Sequence, residues 1–399
     1  MAVTQVPVLI DPIEESGYPG TTQTIHLGPY AFNGKLFGVF IPAAPVFDIT
    51  VWSSSDNGLT WQQQDAANSP AVSIGVNMNT SFNPTTGIIT IGYKPAGVNT
   101  IIRWITFNCT TNLFTAGVYP DLTDVDSSTV ELDFVIRTDS TVVAFYKQSG
   151  TGHVIYRINT AGVWGVANSA TPETGGHSYA EAGAILDSIG TTHLIYGDKI
   201  GAGSFTWTHV PLSSLNVLGA PTAIATELQN GGDFLQAGVI WNNSVVIPLA
   251  RALGGTSRAS VFIGTPLSAP VWTVVDLEVT ATGSVTIFQT NLLVSGSTLY
   301  FLWRFAPGGG VSAIHIASNT GSGFSVVSVY YDAIADPPNA VVNQFVQDIG
   351  AVIAPNGSLS AFATMTALSG NFPAYYLIGA AAGIGGVLTF CFKGQKIYG

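Results

Sequence analysis

The chain has 399 residues, of which 9% are charged against about 25% in an average soluble protein, and it carries a net charge of −11 with an isoelectric point near 4.7. Six lysines and six arginines leave no basic stripe to neutralise phosphates, which argues against nucleic acid or an anionic membrane surface as a partner. A hydrophobic content of 47% excludes a disordered chain.

Residues 1–20 read as an N-terminal arm or a strand that closes a ring, with Val6–Ile10 as the strand and Pro7 and Pro12 suited to an edge. The start, Met1 to Pro7, has no charged region followed by an apolar stretch. The expectation is a protein made and folded in a cytoplasm without a secretory signal. Cys109 and Cys391 form no disulfide framework.

From residue 21 to 399 a polar turn followed by a β-rich run recurs seven times. The turns fall at Gly34, Gly87, Ser140, Gly190, Asn243, Gly296 and Gly357, at intervals of 53, 53, 50, 53, 53 and 61 residues. A period of about 50 residues holding several short strands predicts an all-β, seven-bladed β-propeller with four-stranded antiparallel blades, six or eight blades being the alternatives. Strands are labelled A to D outward from the axis. Repeat one gives Thr24–Phe32, Leu36–Phe40, Phe47–Trp52 and Trp61–Gln64; repeat six gives Ser284–Leu293, Thr298–Trp303, Ser312–Ala317 and Phe324–Val329. The B strands are nearly continuous in apolar character, which fits burial on both faces. The uncharged stretch Ala374–Phe392 has the length of a membrane span, but its glycines and its place in the repeat predict a hairpin of Ala374–Ile378 and Val387–Phe392. Inserted loops are expected near Ile334–Asn343 or between Val329 and Asp348.

One motif is sharp. Ser54-Ser55-Asp56-Asn57-Gly58-Leu59-Thr60-Trp61 matches Ser-x-Asp-x-Gly-x-Thr-Trp at every fixed position. Asp56 can accept backbone N–H groups, Gly58 can take a positive φ, and Trp61 can wedge between blades. Here the chain resembles the sialidase-like (BNR or Asp-box) propellers. The resemblance implies a structural role for Ser54, Asp56, Gly58, Thr60 and Trp61, on the face opposite a family active site. Phe114, Trp164, Trp272 and Phe324 take the place of Trp61 in other repeats.

The same family would bind a carboxylate with three arginines and use a Tyr–Glu nucleophile pair. Arg103, Arg157, Arg251 and Arg304 match no such triad by spacing, and Tyr330-Tyr331-Asp332 reads as a strand end. No catalytic residue is carried over. Acids expected on the D–A connections are Asp121, Asp124, Asp126, Glu173, Glu227, Asp233, Asp276 and Glu278, with Glu131, Asp133 and Glu181 near A strands; a glycosidase would need two of them close together. The run Asp121–Asp126 is rich in oxygen ligands but lacks an EF-hand pattern, and His26, His153, His177, His193, His209 and His315 lack zinc spacing. No cofactor or metal site is expected.

A cation follows strand B in five repeats: Lys94, Lys147, Lys199, Arg251 and Arg304. Tyr93, Tyr146, Tyr196 and Trp303 accompany them. All should emerge on the B–C loop face, either as a ring that binds glycans or as partners of the D–A acids. The reading is a binding or structural propeller recognising a glycan or a neighbouring subunit, of the kind found in virions and surface appendages. A glycoside hydrolase with a non-standard site and an intracellular protein scaffold are the alternatives.

Overall fold

The computed structural model describes residues 8–10, 26–41, 48–72, 78–98, 100–125, 132–149, 153–171, 177–200, 204–228, 234–235, 238–281, 285–307, 312–332, 346–365, 374–381, 388–392 and 395–396. Seven antiparallel sheets form a closed ring, a seven-bladed β-propeller. Blade one is His26–Phe32, Lys35–Phe40, Thr50–Ser54 and Gln62–Gln64, from the axis outward. Blade two is Asn79–Asn83, Ile88–Tyr93, Arg103–Asn108 and Leu113–Ala116. Blades four, five and six are built of longer strands; in blade five Ser244–Leu253, Thr256–Thr265 and Val271–Ala281 form the B, C and D strands.

The seven turn residues that mark the repeat share one backbone property. Gly34, Gly87, Ser140, Gly190, Asn243, Gly296 and Gly357 all have φ between 57° and 85°. This left-handed geometry lets a tight A–B hairpin follow the twist of its strands, and Gly and Asn tolerate it best. The repeat seen in sequence is therefore a repeat of turn geometry. The B strands lie between neighbouring sheets and are buried almost throughout, as in Lys35–Phe40 and Val142–Lys147.

Antiparallel order places A–B and C–D turns at one end of the ring and B–C and D–A loops at the other. Contacts between blades confirm the shared end. The Arg137 guanidinium, at the A–B turn of blade three, donates to Ser213 O at 2.9 Å and Asn216 Oδ1 at 2.6 Å in the C–D turn of blade four. Across the ring seam, Asn356 N–H donates to Asn57 Oδ1.

Both ends of the described chain join the ring. Val8–Leu9 pairs with Ala374–Ala381 and supplies the outer strand of blade seven. The sequence reading paired Ala374–Ile378 with Val387–Phe392, and here the structure corrects it. Leu388–Phe392 instead runs along the innermost strand of blade six, Val285–Ser295, on the channel side, and Gln395–Lys396 folds back on it beside blade two. The inner strand of blade six offered an unpaired edge, whereas the outer edge of blade seven was already taken by Val8–Leu9. The loops expected near Ile334–Asn343 lie outside the described residues. Among the described residues no helix is long and apolar enough to cross a membrane.

Candidate functional site on the B–C face of blade five

The Ser54–Trp61 segment is a C–D turn. Ser54 Oγ donates to Asp56 Oδ1 at 2.7 Å and accepts Gly58 N–H at 2.8 Å, while Asp56 Oδ1 accepts Thr60 N–H at 2.9 Å. Burial pushes the Asp56 carboxyl up, but the Thr60 and Ser54 donors outweigh it and hold the group below its ordinary value. Trp61 donates to Gly58 O and packs on Phe362 and Tyr376 of blade seven, at 5.2 and 5.4 Å between ring centres. Trp164 lies against Trp104 of blade two and Trp272 against His209 of blade four. Each aromatic thus leans on the preceding blade.

The ring of cations and aromatics does not form one exposed platform. Tyr93, Tyr146, Tyr196 and Trp303 are all buried, so none offers a ring face to solvent. Beside Tyr93 and Tyr146 the incoming loops bridge the B–C loops, Val72 with Pro95 and Val125 with Gln148; Tyr196 and Trp303 lie within longer strands. Lys94, Arg251 and Arg304 are buried and Lys147 is half-buried; the Lys199 side chain lies outside the described residues. Arg304 Nε donates to Ser312 Oγ, and burial pushes its pKa down to about 10.

The D–A acids are engaged by donors. Asp121 binds Arg103 at 3.1 Å. Asp124 accepts from Arg157 at 2.8 Å and from Tyr146 at 2.7 Å. Among the described residues no group of three or more His, Cys, Asp or Glu side chains stands together as a metal site would need. Asp133, buried at the inner wall, accepts from Asn79 and from Ala184 N–H, linking the A strands of blades two, three and four. Tyr330 and Tyr331 are buried, and the Tyr330 hydroxyl donates to Leu359 O of blade seven. Asp126, Glu131, Glu173 and Asp233 lie outside the described residues, as do the side chains of Glu181 and Glu227.

Two clusters remain, on either side of one strand. In Val271–Ala281 the register shifts so that Asp276 faces Ser260 and Glu278 faces Ala259. Leu277 is the extra residue of a β-bulge. In a regular strand residues i and i+2 share a face; the bulge turns these two carboxylates to opposite faces.

Asp276 turns toward blade four. It accepts Arg251 Nη1 at 3.1 Å, Arg258 Nη1 at 2.6 Å and Ser260 Oγ at 2.7 Å. Arg258 also donates through Nε to Thr256 Oγ1, and Arg251 lies 5.2 Å over the Phe262 ring. Both guanidiniums bind this one carboxylate. Arg251 is buried, while the Arg258 side chain is 26% exposed and is the solvent-side member.

Glu278 turns toward blade six. Its Oε2 accepts Trp303 Nε1–H at 2.6 Å and His315 Nδ1–H at 2.9 Å. In the neutral imidazole that bond places the hydrogen on Nδ1 and leaves Nε2 as an acceptor. The imidazole stacks on half-buried Phe305 at 4.3 Å, with 14° between planes. His315 and Glu278 keep 12% and 18% of their side chains exposed. The B–C end of blade five therefore offers a cationic corner on one side and a stacked ring with a paired acid and imidazole on the other. Sequence reasoning had Arg251, Trp303, Asp276 and Glu278 in view. It did not single out Arg258, His315 or Phe305 as members of one site, because only the bulge and the blade contacts join them.

No protein-family model matches the chain, and no curated protein matches it by sequence. Solved structures do. A polysaccharide lyase of family PL25, an ulvan lyase, aligns over 94% of this chain and 96% of its own with a TM-score of 0.57 and 10% identity. The polysaccharide lyase Uly1 aligns over 95% and 99% with a TM-score of 0.53 and 8% identity. The fucose-recognising lectin of Aleuria aurantia, a six-bladed propeller, aligns over 76% and 94% with a TM-score of 0.45 and 13% identity. These neighbours are carbohydrate-binding or carbohydrate-active propellers, and the two lyases share the fold over nearly the whole chain.

Proposed function

We propose that this chain is a carbohydrate-binding propeller with sialidase-like blades, and that it takes an acidic glycan on the B–C face of blade five. The observation that carries the reading is the Arg251–Asp276–Arg258 cluster, in which Arg258 is the solvent-side guanidinium with 26% of its side chain exposed. A planar guanidinium matches a sugar carboxylate or sulfate through paired hydrogen bonds. Sugar rings have Phe305 and His315 to stack against on the other side of the strand. The Ser54–Trp61 turn supports the sialidase-like relationship. A charge-poor chain suits a binding or structural component of a virion or surface appendage more than a freely diffusing enzyme.

The test is calorimetric binding of uronate-containing oligosaccharides against neutral ones. Acidic ligands should bind more tightly, and Arg258→Ala should weaken them by at least about tenfold while leaving neutral ligands unchanged. Equal binding of both classes, or an indifferent R258A variant, overturns the reading. A second reading, a polysaccharide-cleaving enzyme, draws on the Glu278–His315 pair as an acid–base unit. It requires chain cleavage that disappears in His315→Ala.

A further inference from the structure

Three described turns hold an Asn-Gly pair: Asn33-Gly34, Asn57-Gly58 and Asn356-Gly357. A fourth pair, Asn230-Gly231, lies outside the described residues. The fold calls for such pairs, because tight turns need positive φ and Asn and Gly accept it best. Asn33 and Gly34 both take it, at 47° and 75°. The same pair has a chemistry of its own. The side-chain carbonyl carbon of an asparagine can be attacked by the backbone nitrogen of the next residue, and a glycine there has no side chain to shield that nitrogen.

The three pairs are held differently. The attack requires the peptide between the two residues to rotate out of the turn. Gly58 is buried, its N–H donates to Ser54 Oγ at 2.8 Å, its carbonyl accepts Trp61 Nε1–H, and Asn57 Oδ1 accepts Asn356 N–H. Gly357 is buried too, its N–H donates to Ala354 O at 2.8 Å, and Asn356 Oδ1 accepts both Ser358 N–H and Ser358 Oγ–H. Asn33 and Gly34 are both exposed, and a Cβ at Gly34 would meet nothing within 4 Å. Among the described contacts neither the Asn33 side chain nor the Gly34 N–H has a hydrogen-bond partner. Below this tip stands Phe32–Lys35, the last pair of the hairpin, where fraying begins.

We propose that Asn33 is a site of spontaneous deamidation, and that the fold shields Asn57 and Asn356 from the same reaction. The Gly34 nitrogen gives its proton to solvent base and bonds to Asn33 Cγ. The Cγ–Nδ2 bond breaks and ammonia leaves, closing a five-membered succinimide. Water then opens that ring. Attack at Cγ leaves an ordinary aspartate; attack at the backbone carbonyl carbon leaves an isoaspartate, in which the chain runs through the side chain. One water enters and one ammonia leaves. Either product adds a negative charge to a chain that already carries −11. The isoaspartate also adds a backbone carbon to a two-residue turn, so the Phe32–Lys35 pair is lost with it. The damage stays at the turn end of blade one, away from the B–C face.

The test holds the full chain in mildly alkaline buffer for weeks, folded in one arm and unfolded in urea in the other, and reads its peptides by mass spectrometry. An isoaspartyl methyltransferase marks the iso form independently. In the folded chain Asn33 should convert at least about tenfold ahead of Asn57 and Asn356, since each of those must first give up hydrogen bonds that Asn33 lacks. In urea the three positions should converge, because the following residue is glycine in each. Asn33→Ser, which has no amide to lose, should remove the early acidic form seen on isoelectric focusing. Conversion of Asn57 or Asn356 ahead of or level with Asn33 in the folded chain overturns the proposal. So does an Asn33 that stays intact in the folded chain while the urea arm converts fully.

Discussion

Asp276 and Glu278 are two residues apart on one strand, yet they hold partners on opposite neighbours, two arginines within blade five facing blade four and a histidine of blade six. The Leu277 bulge makes this possible. One outer strand thereby supplies the counter-charge for a cationic corner and the acid of an imidazole pair. Their energetics differ from their role in binding. Asp276 is the one carboxylate that both guanidiniums touch in the described contacts, and Arg251 is buried beside it.

Asp276→Asn should therefore cost stability, about 1–3 kcal/mol in urea unfolding, because a buried guanidinium loses the carboxylate it touches while solvent partly screens the pair. Arg258→Ala should cost less than about 1 kcal/mol, since Arg251 still satisfies Asp276. A larger loss from R258A than from D276N would contradict the assignment of Arg258 as the ligand-facing member.

A second prediction concerns acid. At the turn end of blade four Asp187 accepts His193 Nε2–H, and His193 Nδ1 meets His209 Nε2 at 3.0 Å, all three buried. Burial, and then the neighbouring His193, push the His209 pKa down from 6.5 to about 3. The unfolded chain thus takes up a proton at His209 near pH 6.5 that the folded chain refuses until about pH 3. Stability is full above pH 6.5 and falls as pH drops through that window, by up to about 1.4 kcal/mol per unit. Asp187, whose folded pKa lies below its ordinary value, adds a further loss in stronger acid. Urea unfolding at pH 7.5 and 4.5 measures this. His209→Gln should remove about 2–3 kcal/mol of the difference; equal slopes for the two proteins would refute it.

Much of the fold was legible because the repeat is a repeat of constraint. Seven residues with positive φ, each opening a buried B strand, need Gly, Asn or Ser at a fixed period, and that composition survives in the sequence. Trp61, Trp164 and Trp272 were legible as blade wedges for a similar reason: a large ring after a turn has one place to go. Two features were not. Tyr93 and Tyr146 sit near the B–C ends of their strands, where the Val72–Pro95 and Val125–Gln148 bridges lie beside them, but the strands of Tyr196 and Trp303 run on to Ile200 and Pro307, and all four rings are buried, which residue spacing alone does not reveal. The Leu277 bulge leaves no composition signal, since its effect is a shift of register against a partner strand. Leu388–Phe392 pairs with a strand about a hundred residues away, a choice fixed by which edge was open.

The seam of the ring gives a third prediction. A Cβ on Gly58 would stand 1.9 Å from Tyr376 of blade seven, at a φ of +90°. Gly34 has a φ of +75° and nothing within 4 Å of the same position. Gly34→Ala therefore measures backbone strain alone, about 1 kcal/mol, whereas Gly58→Ala adds a collision at the blade contact and should exceed about 3 kcal/mol. Similar losses for the two variants would mean that the Trp61–Tyr376 contact does not hold the seam.

The last prediction concerns closure by the chain's beginning. A propeller is stable when its first and last sheets are tied, and here Val8–Leu9 does so by pairing with Tyr375 and Tyr376 as the outer strand of blade seven. Ile10 follows directly and is buried in the cluster that contains Phe37, Phe362 and Tyr376, so the tie has an apolar anchor as well as backbone hydrogen bonds. Ile10→Ala should cost about 2–5 kcal/mol through the cavity left behind. Removing residues 1–10 should cost more, because the strand Ala374–Ala381 then presents unpaired backbone groups at an open edge. The loss should be local to the seam: amide exchange should quicken in blades one and seven and stay slow in blades three and four, whose described strands do not pair with Val8–Leu9, Leu388–Phe392 or Gln395–Lys396. Uniform loss of protection around the ring would show instead that the blades unfold as one unit and that Val8–Leu9 acts on all of them alike.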